Sequence, residues 1–268
     1  MRMIGHVAVS VFKESVRDKV LYNLVAFAVL LIAVSYLLGQ LTAGQDVKII
    51  KDLGLASIAT FGLFIAVFIG IGLVWKEVER RSIYSLLSKP VRRSEFILGK
   101  YAGLVLTLFV NVSVMTVAFY VVLAYLDTQF PDSVREAWAA PATDPGMLRA
   151  VALIFVELLL VTAIALFLST FSSPFLSAAL TFGVWVIGHF NADLRNFEAV
   201  VDSPAAASLA RGLYYVLPNF AAFDIKTQVV HALPVPGSYV VTTAIYGVVY
   251  IALLLTAAIL IFSRRDFK

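Results

Sequence analysis

Cysteine is absent from this 268-residue chain, which excludes disulfide frameworks, thiolate zinc sites and cysteine nucleophiles. Charge is scarce as well: charged residues make up 14% of the chain, against about 25% in ordinary soluble domains. Hydrophobic residues account for 61%, and the mean hydropathy is +0.92. So few charges cannot cover a water-facing surface. The composition therefore excludes a soluble monomer and predicts that most of the exterior faces lipid.

Long intervals without charged residues are the main feature of the sequence. A helix needs about 20 apolar residues to cross the hydrocarbon core of a bilayer, and several charge-free intervals reach that length. The interval around Glu157 is about twice as long, and Ser172, Ser173 and Pro174 near its middle favour a tight turn between two helices. We predict an all-α integral membrane protein with six transmembrane helices, at 20–41, 53–75, 97–126, 149–169, 175–193 and 239–262.

Lysine and arginine set the expected orientation, because they accumulate in short cytoplasmic loops. With both termini in the cytoplasm, 14 of the 21 basic residues lie on the cytoplasmic side. The net charge of +4 is therefore a signal of membrane orientation. The basic residues form no stripe of the size that a nucleic-acid groove requires, so the expected partner is the lipid bilayer and not nucleic acid.

The start of the chain is amphipathic. Ile4, Val7 and Val11 recur at helical spacing, while charged residues occupy other positions around the helix. This pattern predicts an interfacial helix over residues 1–19 that lies along the inner leaflet. No linker or shift in composition separates a second domain, so residues 1–268 are expected to form a single membrane domain.

The predicted cytoplasmic segment 76–95 is the most informative part of the chain. Trp75, Val78 and Ile83 recur at helical spacing, and the charged residues beside them point elsewhere. Pro90 is expected to end this helix. One interpretation is a solvated loop that obeys the positive-inside rule. The other is a helix that docks on a partner.

The same segment carries a distinctive order of residue types. The segment begins with acidic residues, which are followed by a basic pair, a hydroxyl residue and an aliphatic residue. A Leu-Leu-Ser-x-Pro run comes next. The last part contains a basic residue, an acidic residue and a Gly-Lys pair. The residues are Glu77, Glu79, Arg80, Arg81, Ser82, Ile83, Leu86, Leu87, Ser88, Pro90, Arg93, Glu95, Gly99 and Lys100. This order resembles the signature of type 2 ABC exporter permeases, and it is most similar to the small permeases grouped with copper-enzyme maturation.

The resemblance implies a type V exporter fold in a bacterial cytoplasmic (inner) membrane, with two permease subunits paired as an expected homodimer. Each subunit would dock on its own ABC ATPase subunit, so two ATPase copies are expected, with ATP and Mg bound there. This chain is not expected to be an enzyme or to hold a cofactor, because Gly99-Lys100 lacks the glycine-rich phosphate cradle. The expected ATPase-docking residues are Glu77, Glu79, Arg80, Arg81, Ser82, Ile83, Leu86 and Leu87.

Polar residues inside the predicted spans are the candidate translocation path: Glu157, Asn111 and His189. Ionisable residues at membrane depth are costly, and they usually face a bundle interior, pair with one another or mark a pathway. The alternative is a packing role, in which Glu157 hydrogen-bonds a neighbouring helix and His189 is a satisfied core histidine. No metal site is expected, because His6, His189 and His231 fall in an inner helix, a span and an outer loop.

The segment from 193 to 236 is long, and its middle is apolar around one arginine. We expect re-entrant or interfacial helices here, sheltered by protein. The resemblance makes this segment an outer gate, and the alternative is a plain interfacial anchor. The expected gate residues are Tyr214, Tyr215, Pro218, Asn219 and Phe220. A second outer loop, 127–145, is a candidate surface for a periplasmic partner.

Together these features favour the permease subunit of an ATP-binding cassette exporter, which moves substrate out of the cytoplasm or inner leaflet as a separate subunit hydrolyses ATP. A membrane anchor or force transmitter of an ATPase-driven extracytoplasmic complex, which transports nothing, shares the same features. An intramembrane hydrolase is not supported, because no G-x-S-x-G occurs. A channel is not supported either, because each span offers few polar residues.

Overall fold

A computed structural model describes residues 2–40, 46–79, 93–136, 138–195, 197 and 203–264. The regular elements in these ranges are helices, which confirms the predicted all-helical membrane class. They are α1 (Arg2–Ser15), α2 (Lys19–Gln40), α3 (Asp46–Glu79), α4 (Arg93–Gln129), α5 (Asp132–Arg135), α6 (Met147–Ser169), α7 (Pro174–His189), α8 (Asn191–Arg195), α9 (Pro204–Val216), a 3-10 helix (Phe220–Phe223), α10 (Lys226–Val230) and α11 (Gly237–Arg264).

Within the described residues, five helices are long and apolar enough to cross a membrane. The backbone of a helix satisfies its own hydrogen bonds, which is why apolar runs of this length fold as helices in lipid. The five are α2, Val47–Ile71 of α3, Ser94–Gln129 of α4, α6, and Gly237–Ser263 of α11.

The predicted span 175–193, the fifth along the chain, is shorter than expected. Pro174 occupies the first turn of α7, where its missing N–H costs nothing, and the helix ends at His189. Its 16 residues span about 24 Å, less than the bilayer core of about 30 Å. Phe190 leaves the helical conformation, with φ −93° and ψ 25°, and α8 starts at Asn191. The six-span arrangement and the single-domain assignment therefore stay predictions.

The ends of the helices define two faces of the bundle. At one end, which we call the terminus face, Phe96 of α4 stacks on Phe262 of α11 with ring centroids 5.8 Å apart. At the other end, the loop face, the Tyr120 hydroxyl donates to the backbone oxygen of Asp144 (3.0 Å). Buried Lys51 also holds this face, because its Nζ donates to the backbone oxygen of Pro141 at 2.7 Å.

Helices α3 and α4 are longer than a bilayer crossing. Their 34 and 37 residues correspond to about 51 and 55 Å. From Ile71, where the apolar part of α3 ends, the helix continues for about 12 Å to Glu79 on the terminus face. The backbone of Glu77 and Glu79 thus belongs to α3. The other predicted docking residues lie outside the described residues: Arg80, Arg81, Ser82, Ile83, Leu86 and Leu87.

Helix α1 packs against the terminus-face end of α4. A Cβ atom at Gly103 would lie 2.6 Å from Val11 Cβ, and one at Gly99 would lie 2.7 Å from Val7 Cβ. Two glycines four residues apart let the helix backbones approach this closely. The glycine of the Gly-Lys pair therefore serves helix packing. Helix α6, by contrast, is the most buried span and forms the centre of the bundle.

Candidate functional site

The central helix α6 places an acidic side chain deep in the bundle. Glu157 lies ten residues after Met147, about 15 Å along the helix, and only 7% of it is exposed. The indole Nε1 of Trp185 on α7 donates to Glu157 Oε1 at 2.7 Å. This hydrogen bond joins the two helices where each would otherwise carry an unsatisfied polar group.

His189 is a second partner of this carboxyl group and, unlike Trp185, it is ionisable. Its Nδ1 lies 3.0 Å from the carbonyl oxygen of Trp185, and because a carbonyl only accepts, Nδ1 carries the proton. The other ring nitrogen, Nε2, lies 3.7 Å from Glu157 Oε1. The imidazole ring thus lies between the backbone of α7 and the buried carboxyl group.

Residues 217–223, which end in the 3-10 helix, pack against this pair. We call them the gate segment after the outer-gate role that the resemblance implies, and that role stays a prediction. The Phe220 ring stacks on the His189 ring, with centroids 5.8 Å apart and an interplanar angle of 10°. Gly188 makes room for this contact, because a Cβ atom there would lie 2.5 Å from Phe220 Cδ2 and 2.5 Å from Pro218 O. The gate segment is therefore seated directly on the backbone of α7.

The other end of the gate segment is anchored on α11. Phe223 is fully buried, and its ring centroid lies 6.2 Å from that of Tyr246. The Tyr246 hydroxyl accepts a hydrogen bond from the backbone N–H of Asn219 at 2.8 Å. The Tyr239 hydroxyl donates to the backbone oxygen of Ala222, also at 2.8 Å. The gate segment thus bridges α7 and α11 through aromatic contacts and backbone hydrogen bonds.

Two charged residues follow the gate segment. Lys226 Nζ lies 3.4 Å from Asp224 Oδ2, and both residues lie within electrostatic range of Glu157. A displacement of the gate segment would therefore change the field at the buried carboxyl group as well as its aromatic cover.

A pocket of about 470 Å³ opens beside the gate segment, between α9 and α11; we call it the hydroxyl pocket. Its described lining carries many uncharged polar groups: four tyrosines, two threonines and two asparagines. The lining residues are Asn191, Tyr214, Tyr215, Leu217, Asn219, Ala222, Thr242, Thr243, Tyr246 and Tyr250. Tyr246 belongs both to this pocket and to the anchor of the gate segment.

The structure brings most of the predicted path and gate residues into one region, whereas most of the predicted docking residues lie outside the described residues. His189 lies beside Glu157, while Tyr214, Tyr215 and Asn219 line the hydroxyl pocket. The side-chain amide of Asn111 donates to the backbone oxygen of Thr107 in its own helix at 2.6 Å. This hydrogen bond does not join Asn111 to Glu157 or His189.

Sequence reasoning missed several residues of this region. Trp185 lies four residues before His189, so the two share one face of a helix, and this spacing could have identified it. Thr242, Tyr246 and Tyr250 repeat at intervals of four along the last span, which places three hydroxyl groups on one face. Phe223 carries no comparable signal in the sequence. Among the described residues, no three His, Asp or Glu side chains form a metal-binding group.

The sequence profile of a family described as ABC-2 family transporter protein matches residues 6–267. No curated protein matches the chain. The match covers nearly the whole length, in agreement with the long apolar helices, and the chain belongs to the ABC-2 family of membrane transporter proteins.

Proposed function

We propose that this protein is the permease subunit of an ABC exporter, in which two permease copies pair and each docks on one ATPase subunit. The membership of residues 6–267 in the ABC-2 transporter family is the observation that carries this proposal. ATP and Mg would be bound by the ATPase subunits, and this chain would supply the path through the membrane. Cargo would leave the cytoplasm or the inner leaflet.

The long helices α3 and α4 support a docking site on the terminus face. Both extend beyond the length of a bilayer crossing, and they flank the charged segment that contains Arg80 and Arg81. A rigid helix transmits a displacement at one end to the other end. Closure of the ATPase subunits would therefore move the membrane part of α3 against α6, where Glu157 lies.

The gate segment supports an opening mechanism on the loop face. Its seat consists of ring contacts and a few backbone hydrogen bonds, which can be exchanged at modest cost. We infer that a shift of α7 relative to α6 lengthens the Trp185–Glu157 hydrogen bond and frees Phe220 from His189. The gate segment would then open toward the extracytoplasmic side, as alternating access requires.

The distribution of basic residues supports the orientation. Fourteen of the 21 lysines and arginines lie before the first span, between Lys76 and Lys100, or after Phe262. We propose that the terminus face is cytoplasmic, that the membrane is a bacterial inner membrane, and that the loop 127–145 faces any periplasmic partner.

The test replaces Glu77 and Arg80 together by alanine in the complex purified with its ATPase. Because the natural chain has no cysteine, Thr243→Cys adds a single label site in a buried position near the gate segment. ATP should accelerate maleimide labelling of this cysteine several-fold. In the double variant, ATP hydrolysis should continue without that acceleration.

The matched control removes one base and one acid elsewhere, as Lys13→Ala with Glu14→Ala on the exposed side of α1, and should keep the ATP effect. Persistence of the ATP effect in the Glu77/Arg80 variant would contradict the docking assignment. Purification of the chain without any ATPase under several mild detergents would contradict the exporter class. An ATPase that purifies with the chain but responds to no cargo would favour the force transmitter.

A further inference from the structure

The hydroxyl pocket lies at a depth where a membrane-embedded ligand could reach it. Thr242 and Tyr250 lie about 8 and 20 Å along α11 from its start at Gly237, so this wall of the pocket crosses the loop-face half of the bilayer. Its volume of about 470 Å³ falls within the range of about 300–1,000 Å³ that is typical of small-molecule sites. The pocket is separate from the Glu157–His189 pair, but its lining includes Leu217, Asn219 and Ala222 of the gate segment.

The lining offers hydrogen bonds without charge. Each tyrosine and threonine hydroxyl can both donate and accept, and each asparagine amide carries two donors and an acceptor. The Asn219 side-chain oxygen is buried, and within the described part of the chain it has no hydrogen-bond partner. An unpaired buried acceptor is costly. Asn219 belongs to the pocket lining, so a rotation of its side chain toward a ligand hydroxyl would give this oxygen a donor and remove the cost.

The same lining disfavours charged ligands. None of the described lining residues carries a charge, so a phosphate group would find no arginine or lysine there. An ammonium group would be desolvated without a carboxylate beside it, which is unfavourable even next to tyrosine rings. A polyhydroxylated neutral group suits the lining best, because every hydroxyl can find a donor or acceptor and the tyrosine rings supply flat apolar surface.

Apolar surface flanks the pocket on both sides. On α9, Leu209 and Val216 are 66% and 72% exposed, and on α11, Val241, Ile245 and Val249 are each more than half exposed. Alkyl chains of a lipid could lie along these side chains while its head group occupies the pocket.

We propose that the hydroxyl pocket binds the uncharged, sugar-bearing head group of a lipid in the loop-face half of the membrane. Such a lipid would also be the cargo that passes the gate segment. This role as cargo rests on the proposed exporter function. Binding of the lipid in the hydroxyl pocket does not depend on the exporter function, so each of these two proposals can be wrong while the other holds.

The experiment uses the full chain in nanodiscs that contain equal amounts of glucosyl-diacylglycerol, phosphatidylethanolamine and phosphatidylglycerol, with native mass spectrometry of the lipids retained. We expect the glucosyl lipid to be retained several-fold over the other two. Asn219→Leu and Tyr250→Phe should each lower this preference about three- to tenfold, since each removes hydrogen-bonding groups from the pocket. Tyr22→Phe, at an exposed tyrosine outside the pocket, should leave it unchanged.

Tyr250→Phe removes one hydroxyl group only, so it keeps the test valid if Asn219→Leu fails to fold. Addition of free maltose separates a lipid head group from a free sugar: competition at millimolar maltose would overturn the lipid assignment. Preference for either phospholipid, or a preference that survives both pocket variants, would overturn the proposal. If ATP still accelerates labelling of the Thr243→Cys variant, while the parent chain with its pocket unaltered shows no glycolipid preference, the exporter function is retained and only this inference is lost.

Discussion

Replacement of Gly188 by alanine should push the gate segment off α7. The new Cβ atom would lie 2.5 Å from Phe220 Cδ2 and 2.5 Å from the carbonyl oxygen of Pro218. Carbon atoms in contact are normally about 3.5–4.0 Å apart, so these neighbours must move by about 1 Å. Because the Pro218 oxygen belongs to the backbone, a change of side-chain rotamer cannot relieve the clash. The gate segment itself has to shift.

The stability that Gly188→Ala should lose can be estimated from similar substitutions. Overpacking by one methyl group typically costs about 1–3 kcal/mol, and for a chain of this size that corresponds to a melting temperature lower by about 2–12 °C. Gly183 on the same helix is the matched control, because a Cβ atom there meets nothing within 4 Å. Gly183→Ala should stabilise the helix by up to about 1 kcal/mol. The same chemical change should thus have opposite signs at the two positions.

The assay is thermal unfolding of the purified protein in nanodiscs, followed by tryptophan fluorescence. Trp185 lies next to the site, with its ring centroid 4.4 Å from that of His189, so its emission also reports the local shift. If Gly188→Ala melts at or above the temperature of Gly183→Ala, the gate segment is not seated on α7 as described, and the reasoning about gate opening fails with it.

Two further predictions concern polar contacts between distant parts of the chain. Lys51→Met should leave the Pro141 carbonyl oxygen unpaired at a cost of about 1–3 kcal/mol, and a cysteine placed at fully buried Ala142 should then react faster with maleimide than in the parent chain. Glu157→Leu and Trp185→Phe should each lower stability, and a double-mutant cycle in thermal unfolding should give a coupling free energy of about 0.5–3 kcal/mol, because the first change removes the acceptor and the second removes the donor of one shared hydrogen bond.

Controls and contrary results for these two predictions are clear. Lys48→Met makes the same change on the same helix at a less buried position and should leave the reactivity of the Ala142 cysteine unchanged. Equal reactivity in the Lys48 and Lys51 variants would show that Lys51 does not hold the loop. Strict additivity of Glu157→Leu and Trp185→Phe would mean that their hydrogen bond does not join α6 to α7.

The sequence predicted the elements well where the signal was long and uniform. The five long apolar helices fall where charge-free intervals occur, and the amphipathic start of the chain forms α1. In the predicted span 175–193, the helix ends at His189. Apolar residues continue past His189, but Phe190 breaks the helix there, and hydropathy alone cannot distinguish an apolar helix from an apolar turn.

Some residues of the candidate site could be recognised from the sequence and others could not. Glu157 and His189 stood out in the sequence because an ionisable residue in an apolar run is conspicuous. Trp185 and Phe223 did not, because tryptophan and phenylalanine are unremarkable in a membrane helix or an apolar loop. Their roles depend on which partner they meet: Trp185 lies 28 residues from Glu157 along the chain, and Phe223 lies 23 residues from Tyr246.

The sequence by itself determined the membrane class, the positions of the long helices and the family, because hydropathy, charge spacing and motif order are local properties of the chain. Only the tertiary structure decided that the gate segment is seated on Gly188 and that α9 and α11 enclose a pocket of uncharged hydroxyl groups. Close packing between elements far apart in the chain selects these contacts, and residue spacing within one element does not encode that selection.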